Sequence, residues 1–381
     1  MNTSSFDILI IGAGIAGASV AAELARTHRV AILEREDHPG YHSTGRSAAL
    51  FSEIYGNGVV RALSRASRDF FYNPPAGFAQ HPLVKPRGSL YIARQEQILQ
   101  LEEFTRNADL AGSIRRLSRE EALRACPVLR PEYVAAAVFE DDAADVDVNE
   151  LHQGYLRQFK AAGGTLLVNA DVQSLFNRDG KWIAQTGAGE FSAPIVVNAA
   201  GAWADTVAGK AGATPLKIKP RRRTALLAEL PGGISADAWP MVIDIDESFY
   251  LKPDAGLLLI SPADETLVPP CDVQPEEFDV AVAVDRVEQA TTLAITRIRR
   301  RWAGLRSFAP DRSPVIGFDG ALPGFFWLAG QGGYGIQTAP AAARLAASLL
   351  RGDAKSEFDA ALIAQLSPNR FAARPAARSR A

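Results

Sequence analysis

Residues Phe6–Ile11 (FDILII) are almost uniformly apolar and run directly into Gly12-Ala-Gly14-Ile15-Ala16-Gly17. A short apolar run of this kind marks a strand buried on both faces. The residues that follow, SVAAELAR, are small or apolar at helical spacing, and a second apolar run, Val30–Leu33, ends on Glu34. Gly12 permits a tight turn, Gly14 lets the backbone approach a pyrophosphate, and Gly17 lets the helix lie close to the strand. The helix N-terminus then aims its free N–H groups at the phosphates. Glu34 falls about 20 residues beyond the first glycine, where a carboxylate accepts hydrogen bonds from ribose hydroxyls. The pattern predicts a Rossmann-like dinucleotide-binding unit and does not by itself separate NAD from FAD. Residues 38–49 (HPGYHSTGRSAA) are polar and without helix or strand periodicity. They suit either a surface loop or a segment lying along a flavin's ribityl chain.

A chain of 381 residues has room for two domains. Its net charge of -2 offers no attraction to nucleic acid or to an anionic membrane. Four arginines near the end (Arg370, Arg374, Arg378, Arg380) stand among Ala and Pro and read as a frayed tail. No apolar run reaches the ~18–20 residues of a transmembrane helix. The N-terminal run is cut by its glycines and lacks the basic start of a secretory signal. Cys126 and Cys271 fit no metal or redox spacing and suit a reducing compartment. The expected location is cytoplasmic.

Residues 97–130 read as helical and charged, ended by Pro127. The stretch from Asp141 to Gly164 reads as a helix with an acidic start, an apolar stripe (Leu151, Tyr155, Leu156, Phe159) and a Gly-Gly stop. Leu166–Val168, Lys181–Gln185, Glu190–Phe191 and Ile195–Asn198 read as strands. From Pro220 to Phe308 the chain alternates as strands do. It then returns to strand (Phe325–Ala329), Gly-rich loop (Gly330–Thr338) and helix (Ala339–Arg351, stopped by Gly352). The expected fold class is α/β (α+β). A Rossmann-like domain discontinuous in sequence (1–85, 145–219, 309–381) would carry an inserted β-rich substrate domain (86–144, 220–308), with a small-molecule site at their junction.

The five histidines are scattered, none pairs with Ser or Cys in a nucleophile motif, and no metal spacing appears. The chemistry is therefore expected to come from a cofactor. Arg306, in WAGLRSF, could pair bidentately with a substrate carboxylate, although a structural ion pair is the commoner use of such an Arg. Arg221–Arg223 reads as a solvated basic run.

Several segments together resemble the D-amino-acid oxidase-like flavoprotein family: DILIIGAGIAGAS, PGYHSTGRSAA, VVNAAGAWAD, SFYLKPDAG, WAGLRSF, DRSPVIG and QGGYGIQT. Within it the chain resembles the FAD-dependent D-arginine dehydrogenase group of bacterial D-amino-acid dehydrogenases. The resemblance implies non-covalent FAD, with His42 the one weak candidate for a covalent link. Gly12, Gly14, Ile15, Ala16 and Gly17 would face the pyrophosphate, Glu34 the adenosine ribose, and Arg35 and Val172 the adenine. Ser43, Thr44, Ala48 and Gly304 would line the flavin, closed over by Gly332, Tyr334, Gly335, Ile336, Gln337 and Thr338. Arg306 and Tyr250, supported by Arg223, would clamp the substrate carboxylate, and the Gly333 carbonyl would accept from the substrate amine. Tyr55 would sit on a mobile lid, roughly Ser52–Val59.

The resemblance implies hydride transfer from the Cα of a D-amino acid to flavin N5, with an electron acceptor (quinone, dye or O2) left open. Glycine- or sarcosine-oxidase-like chemistry is the alternative. In this pocket, with Ser52 beside them, Leu50 and Ser89 replace the His and the acidic residue of the cationic-substrate pattern. Without that carboxylate a buried guanidinium or ammonium is unpaired, so neutral or apolar side chains are expected. Glu53 is the remaining candidate for a replacement acid.

Overall fold

A computed structural model of the chain describes residues 3–110, 112–353 and 357–371. Arg374, Arg378 and Arg380 of the expected frayed tail lie outside them. Arg370 is anchored, with its Nε 2.7 Å from Asp311 Oδ2.

Ile8–Ile11 lies within a six-stranded sheet ordered Thr165–Leu167, Val30–Leu33, Ile8–Ile11, Ile195–Asn198, Phe325–Ala329, Val315–Phe318. All neighbours run parallel except the last pair. Successive side chains leave a strand on opposite faces, and both faces here are covered. Ile8, Ile10, Val30 and Ile32 pack with helices Ile15–Leu24, Val148–Ala161 and Gly335–Arg351. Leu9, Ile11, Ala31 and Leu33 pack against Trp182, Phe191 and helix Ala204–Ala211. That double burial is why these strands are apolar at every position.

The first turn has the expected close contacts. Gly12 has φ +102°, and a Cβ on it would stand 2.6 Å from the Ala199 carbonyl oxygen. A Cβ on Gly17 would stand 1.9 Å from the Gly12 carbonyl oxygen, so only glycine lets the helix approach its strand.

Strands from the middle of the chain form a nine-stranded sheet. Its order is Gln331–Gly332, Ile298–Phe308, Lys219–Ala228, Leu257–Ser261, Tyr250–Asp254, Met241–Asp244, Ser89–Ala93, Ala136–Glu140, Arg115–Leu117. It is antiparallel apart from Met241–Asp244 beside Ser89–Ala93. The fold class is thus the expected one, mixed α/β with several sheets. No helix among the described residues is long and apolar enough to cross a membrane.

Some elements differ from the expectation. Residues 97–130 hold two helices, Ile98–Arg106 and Arg119–Ala125, separated by strand Arg115–Leu117. The first ends where Asn107 turns extended (φ -64°, ψ 111°), a left-handed Gly112 (φ +84°) lies between the two, and a Ser118/Glu121 capping box starts the second. A strand at Val172–Arg178, absent from the sequence reading, pairs with Lys181–Thr186. The last long helix begins at Gly335, four residues early, and holds Pro340 inside it. Ala341 N–H, one residue beyond the proline, donates to Ser67 Oγ at 3.1 Å. The segment expected to form a lid, roughly Ser52–Val59, runs into a helix that starts at Gly58 and is capped by Asn57.

Candidate active site

Three adjoining cavities run from Glu34 to Arg306, of about 950, 930 and 710 Å³. The first two share Gly14, Ser43, Thr44, Ala199 and Gly201. The second and third share Ser47, Ala48, Arg223, Tyr250, Arg306, Gly333 and Ile336.

The first cavity lies at the ends of the parallel strands and is walled by Gly12, Leu33, Glu34, Arg35 and Val172. Glu34 is buried, and its carboxylate accepts from Ala13 N at 2.7 Å and Glu36 N at 3.0 Å. Arg35 lies over the Trp203 ring, 4.9 Å from its centroid. Trp203 and Lys210 also line this cavity and were not singled out from the sequence. His42 is here as well, 2.9 Å from Glu36 Oε1, and it does not line the second cavity.

The second cavity meets two helix N-termini, through Gly14, Ile15 and Ala16 and through Gly335 and Ile336. Neither helix has a capping side chain at its N-cap or an acidic residue in its first turn. Both ends therefore direct the positive end of a helix dipole toward the cavity. Thr44 Oγ1 accepts from Ile15 N at 3.0 Å, and His152 Nε2 donates to the Ala13 carbonyl at 2.9 Å, behind the turn. Ser43 Oγ donates to the Leu305 carbonyl at 2.7 Å, joining this wall to the nine-stranded sheet. An elongated, glycine-lined channel with a buried carboxylate at one end and helix N-termini along it fits FAD.

The third cavity brings together Arg306, Tyr250 and Arg223, the residues expected to clamp a carboxylate. Strands Lys219–Ala228 and Ile298–Phe308 pair with Arg223 opposite Gly304 and Arg221 opposite Arg306. Arg306 and Arg223 therefore leave the same face. Arg306 Nη1 donates to Tyr55 Oη at 3.1 Å. Burial works against the Arg306 charge, but the facing Tyr55 and Tyr250 hold its pKa above the usual guanidinium value. Arg223 is fixed by the Asp264 carbonyl (2.9 Å) and Glu265 Oε1 (3.4 Å). A Cβ on Gly333 would stand 2.8 Å from Arg306 Cζ. The remaining walls are mostly apolar: Ala48, Leu50, Tyr91, Met241, Ile243 and Ile336. Glu247 lines this cavity from an exposed turn at φ +53°, and its carboxylate makes no hydrogen bond or ion pair among the described residues.

Four predicted site residues line none of the three cavities: Gly17, Ser89, Tyr334 and Thr338. Thr338 Oγ1 donates to the Tyr334 carbonyl, and Tyr334 packs edge-on against Tyr55 with ring centroids 5.0 Å apart. Burial pushes the Tyr334 hydroxyl up to about 12. Ser89 is wholly buried, and its hydroxyl donates to Glu140. Glu53 does not replace the missing acid, because it pairs with Arg68 at 2.8 Å. Nor is the arginine run solvated: Arg222 is buried among Asp264, Glu276 and Asp279. Glu140 was not foreseen. It is buried against the segment Ser52–Ile54, and desolvation pushes its carboxyl up to about 7 against hydrogen bonds from Ser52, Ser89 and the Glu53 and Ile54 amides.

A family model described as "DAO: FAD dependent oxidoreductase" matches residues 7–349. A glycine oxidase from Geobacillus kaustophilus is 25% identical over 382 residues, covering 91% of this chain and 93% of that protein. The crystal structure of a glycine oxidase from the same species superposes with a TM-score of 0.83 at 22% identity, covering 97% and 99% of the two chains. An L-proline dehydrogenase from P. horikoshii gives a TM-score of 0.83 at 24% identity, covering 97% and 98%.

Proposed function

This chain belongs to the DAO family of FAD-dependent oxidoreductases, and we propose that within it the protein oxidises a D-amino acid to the imino acid. The imino acid then leaves and hydrolyses to a 2-oxo acid and ammonia. The observation carrying this reading is the Arg306–Tyr55 pair at one end of an apolar cavity that opens onto the flavin-sized one. The assignment to the D-arginine dehydrogenase group rests on the motif resemblance alone.

In this reading Arg306 takes the substrate carboxylate bidentately, with Tyr250 beside it and Arg223 adding charge behind. Fixing the carboxylate leaves one Cα–H directed at the cofactor cavity, which selects one enantiomer. The Gly333 carbonyl accepts from the substrate amine. FAD, when bound, supplies the two-electron acceptor for the Cα hydride. The amine must be neutral at that moment, so the rate rises with pH as the substrate ammonium loses its proton. Residues 1–85, 145–219 and 309–381 serve as the cofactor domain, and 86–144 and 220–308 as the substrate domain. FAD is held non-covalently, so acid precipitation releases the yellow colour. The unpaired Cys271 and buried Cys126 suit a cytoplasmic enzyme.

Leu50, Met241 and Ile243 favour neutral or apolar side chains. Glu247 is the one carboxylate among the lining residues, so a preference for a cationic side chain would depend on it. Anaerobic mixing with D- and L-amino acids tests the reading, and failure of every D-amino acid to bleach the flavin absorbance rejects it. A second reading, oxidation of glycine or a secondary amino acid, is favoured by the similarity to glycine oxidase and L-proline dehydrogenase. Faster reduction by sarcosine, proline or glycine in the same panel would select it. Reoxidation by O2, compared with a quinone or dye, distinguishes oxidase from dehydrogenase.

A further inference from the structure

We propose that Glu140 is a positioning residue of the substrate site, fixing the segment Ser52–Tyr55 and through it the contact between Tyr55 and Arg306. The inference rests on the clamp role given to Arg306 above.

Glu140 ends strand Ala136–Glu140 and stands directly opposite Ser89 in the antiparallel register. It is 1% exposed. Its Oε2 accepts from Ser52 Oγ at 2.7 Å and from Ser89 Oγ at 2.9 Å, and its Oε1 accepts from Glu53 N at 2.9 Å. Ile54 N is a further donor. All four donors are neutral, and no cation pairs with the carboxylate among the described residues. The charged and titratable groups around it are Glu53, Arg68, Asp142, Tyr72 and Tyr91, with Arg68 occupied by Glu53 and Asp142.

Burying a carboxylate without a cation is costly. An amide or a hydroxyl in its place would cost less but would accept fewer bonds. What the carboxylate supplies is enough acceptor capacity to hold two backbone amides and two hydroxyls at the root of the lid. Ser52 is also held from the opposite side, since its N–H donates to Gln337 Oε1 at 3.3 Å and Gln337 Nε2 donates to Ser64 Oγ at 2.8 Å. The root of the lid is thus tied at once to the nine-stranded sheet and to helix Gly335–Arg351. Three residues beyond Ser52, Tyr55 accepts from Arg306. The acidic residue expected at position 89 has a counterpart one strand away. Its charge serves the lid rather than a substrate side chain.

A proton on Glu140 removes acceptor capacity from this network, and burial brings that titration up to about pH 7. The test uses the FAD-bound protein and compares wild type with Glu140→Gln, Tyr55→Phe and the double variant between pH 6 and 9. Two quantities are read: the benzoate Kd from the shift in flavin absorbance, and KM and kcat for a D-amino acid that reduces the flavin. Expected for Glu140→Gln are a rise of about tenfold in benzoate Kd and KM, kcat within about threefold of wild type, and unchanged FAD content. The rise in wild-type KM below pH 7 should vanish in this variant. The double variant should be no worse than Tyr55→Phe alone. Unchanged benzoate Kd and KM, or losses that multiply in the double variant, would overturn the proposal. If Glu140→Gln does not fold, Ser52→Ala cuts the same link from the cavity side and is held to the same outcomes. Should no amino acid reduce the wild-type flavin, the proposed function fails while the benzoate titrations still decide the role of Glu140.

Discussion

At the scale of single residues, the site depends on atoms that leave no room. A methyl at position 333 would lie 2.8 Å from Arg306 Cζ and 2.9 Å from its Nε. Gly333→Ala should therefore push the guanidinium aside and lower kcat/KM about 100-fold while FAD stays bound, as steady-state kinetics beside the flavin spectrum would show. Arg306→Lys keeps the charge and loses the fork. It should cost kcat/KM a similar factor, mainly through KM if the clamp acts on the ground state. Glu140 adds a stability signature. Its carboxyl holds a proton up to about pH 7 when folded and to 4.5 in the unfolded chain, so the folded state binds more protons between those values. The stability this contributes is complete below pH 4.5 and lost as pH rises through 7. Glu140→Gln should flatten that fall in a series of thermal melts, and a Tm–pH curve parallel to wild type would contradict it. The residues proposed as the clamp could be picked out of the sequence only through their motifs, because Arg306 alone reads more readily as a structural ion pair. Glu140 could not be picked out at all. It stands just before the acidic stretch from Asp141 that reads as a helix start, and its partners Ser52 and Ser89 reach it by strand register and loop path, which no local spacing encodes. Glu53 was the natural candidate by position, but Arg68, one helix away, had already claimed it.

At the scale of elements, the strand–turn–helix at the N-terminus was legible because its constraints are local. The turn needs glycine at 12 and the helix approach needs it at 17, and the distances of 2.6 and 1.9 Å are the reason. Gly17→Ala should give protein with little or no bound flavin, read as the ratio of flavin to protein absorbance. A variant as yellow as wild type would refute the close-packing argument. The long charged stretch from 97 to 130 was less legible. A helix-forming composition there overrides neither Gly112 nor the pairing of Arg115–Leu117 with Ala136–Glu140. The start of the last helix was hidden by the glycines before and at it, because a run holding Gly332, Gly333 and Gly335 looks like loop although Gly335 opens the helix. Asn57 was hidden in the same way among lid residues. Its Oδ1 accepts from Val60 N and its Nδ2 donates to Ser313 Oγ, each at 3.0 Å. Asn57→Ala should cost about 1 kcal/mol of stability and free the lid two residues from Tyr55.

At the scale of the whole molecule, the flavin-sized cavity has walls from both large sheets. Gly14 and Ala199 follow strands of the six-stranded sheet, whereas Arg223, Gly304 and Leu305 belong to the nine-stranded one. Ser43 and Arg46 already reach across, to the carbonyls of Leu305 and Ala303. A cofactor held between two sheets stabilises both only if they unfold together, and a ligand bound only by the native state adds RT ln(1 + [L]/Kd). With FAD at 100 times its Kd this is about 2.7 kcal/mol, enough to move the melting temperature by several degrees in a chain of this size. Stripped protein titrated with FAD in a calorimeter should therefore show one transition that shifts as a whole. NAD at the same concentrations should shift it much less, because its nicotinamide riboside is smaller than the ribityl-isoalloxazine that the cavity between Gly304 and Gly335 would take. Two transitions, of which FAD moves one, would mean that the nine-stranded part folds independently of the cofactor. In that case the link through Ser43 and Arg46, rather than FAD, would have to set the distance from Arg306 to the reacting carbon.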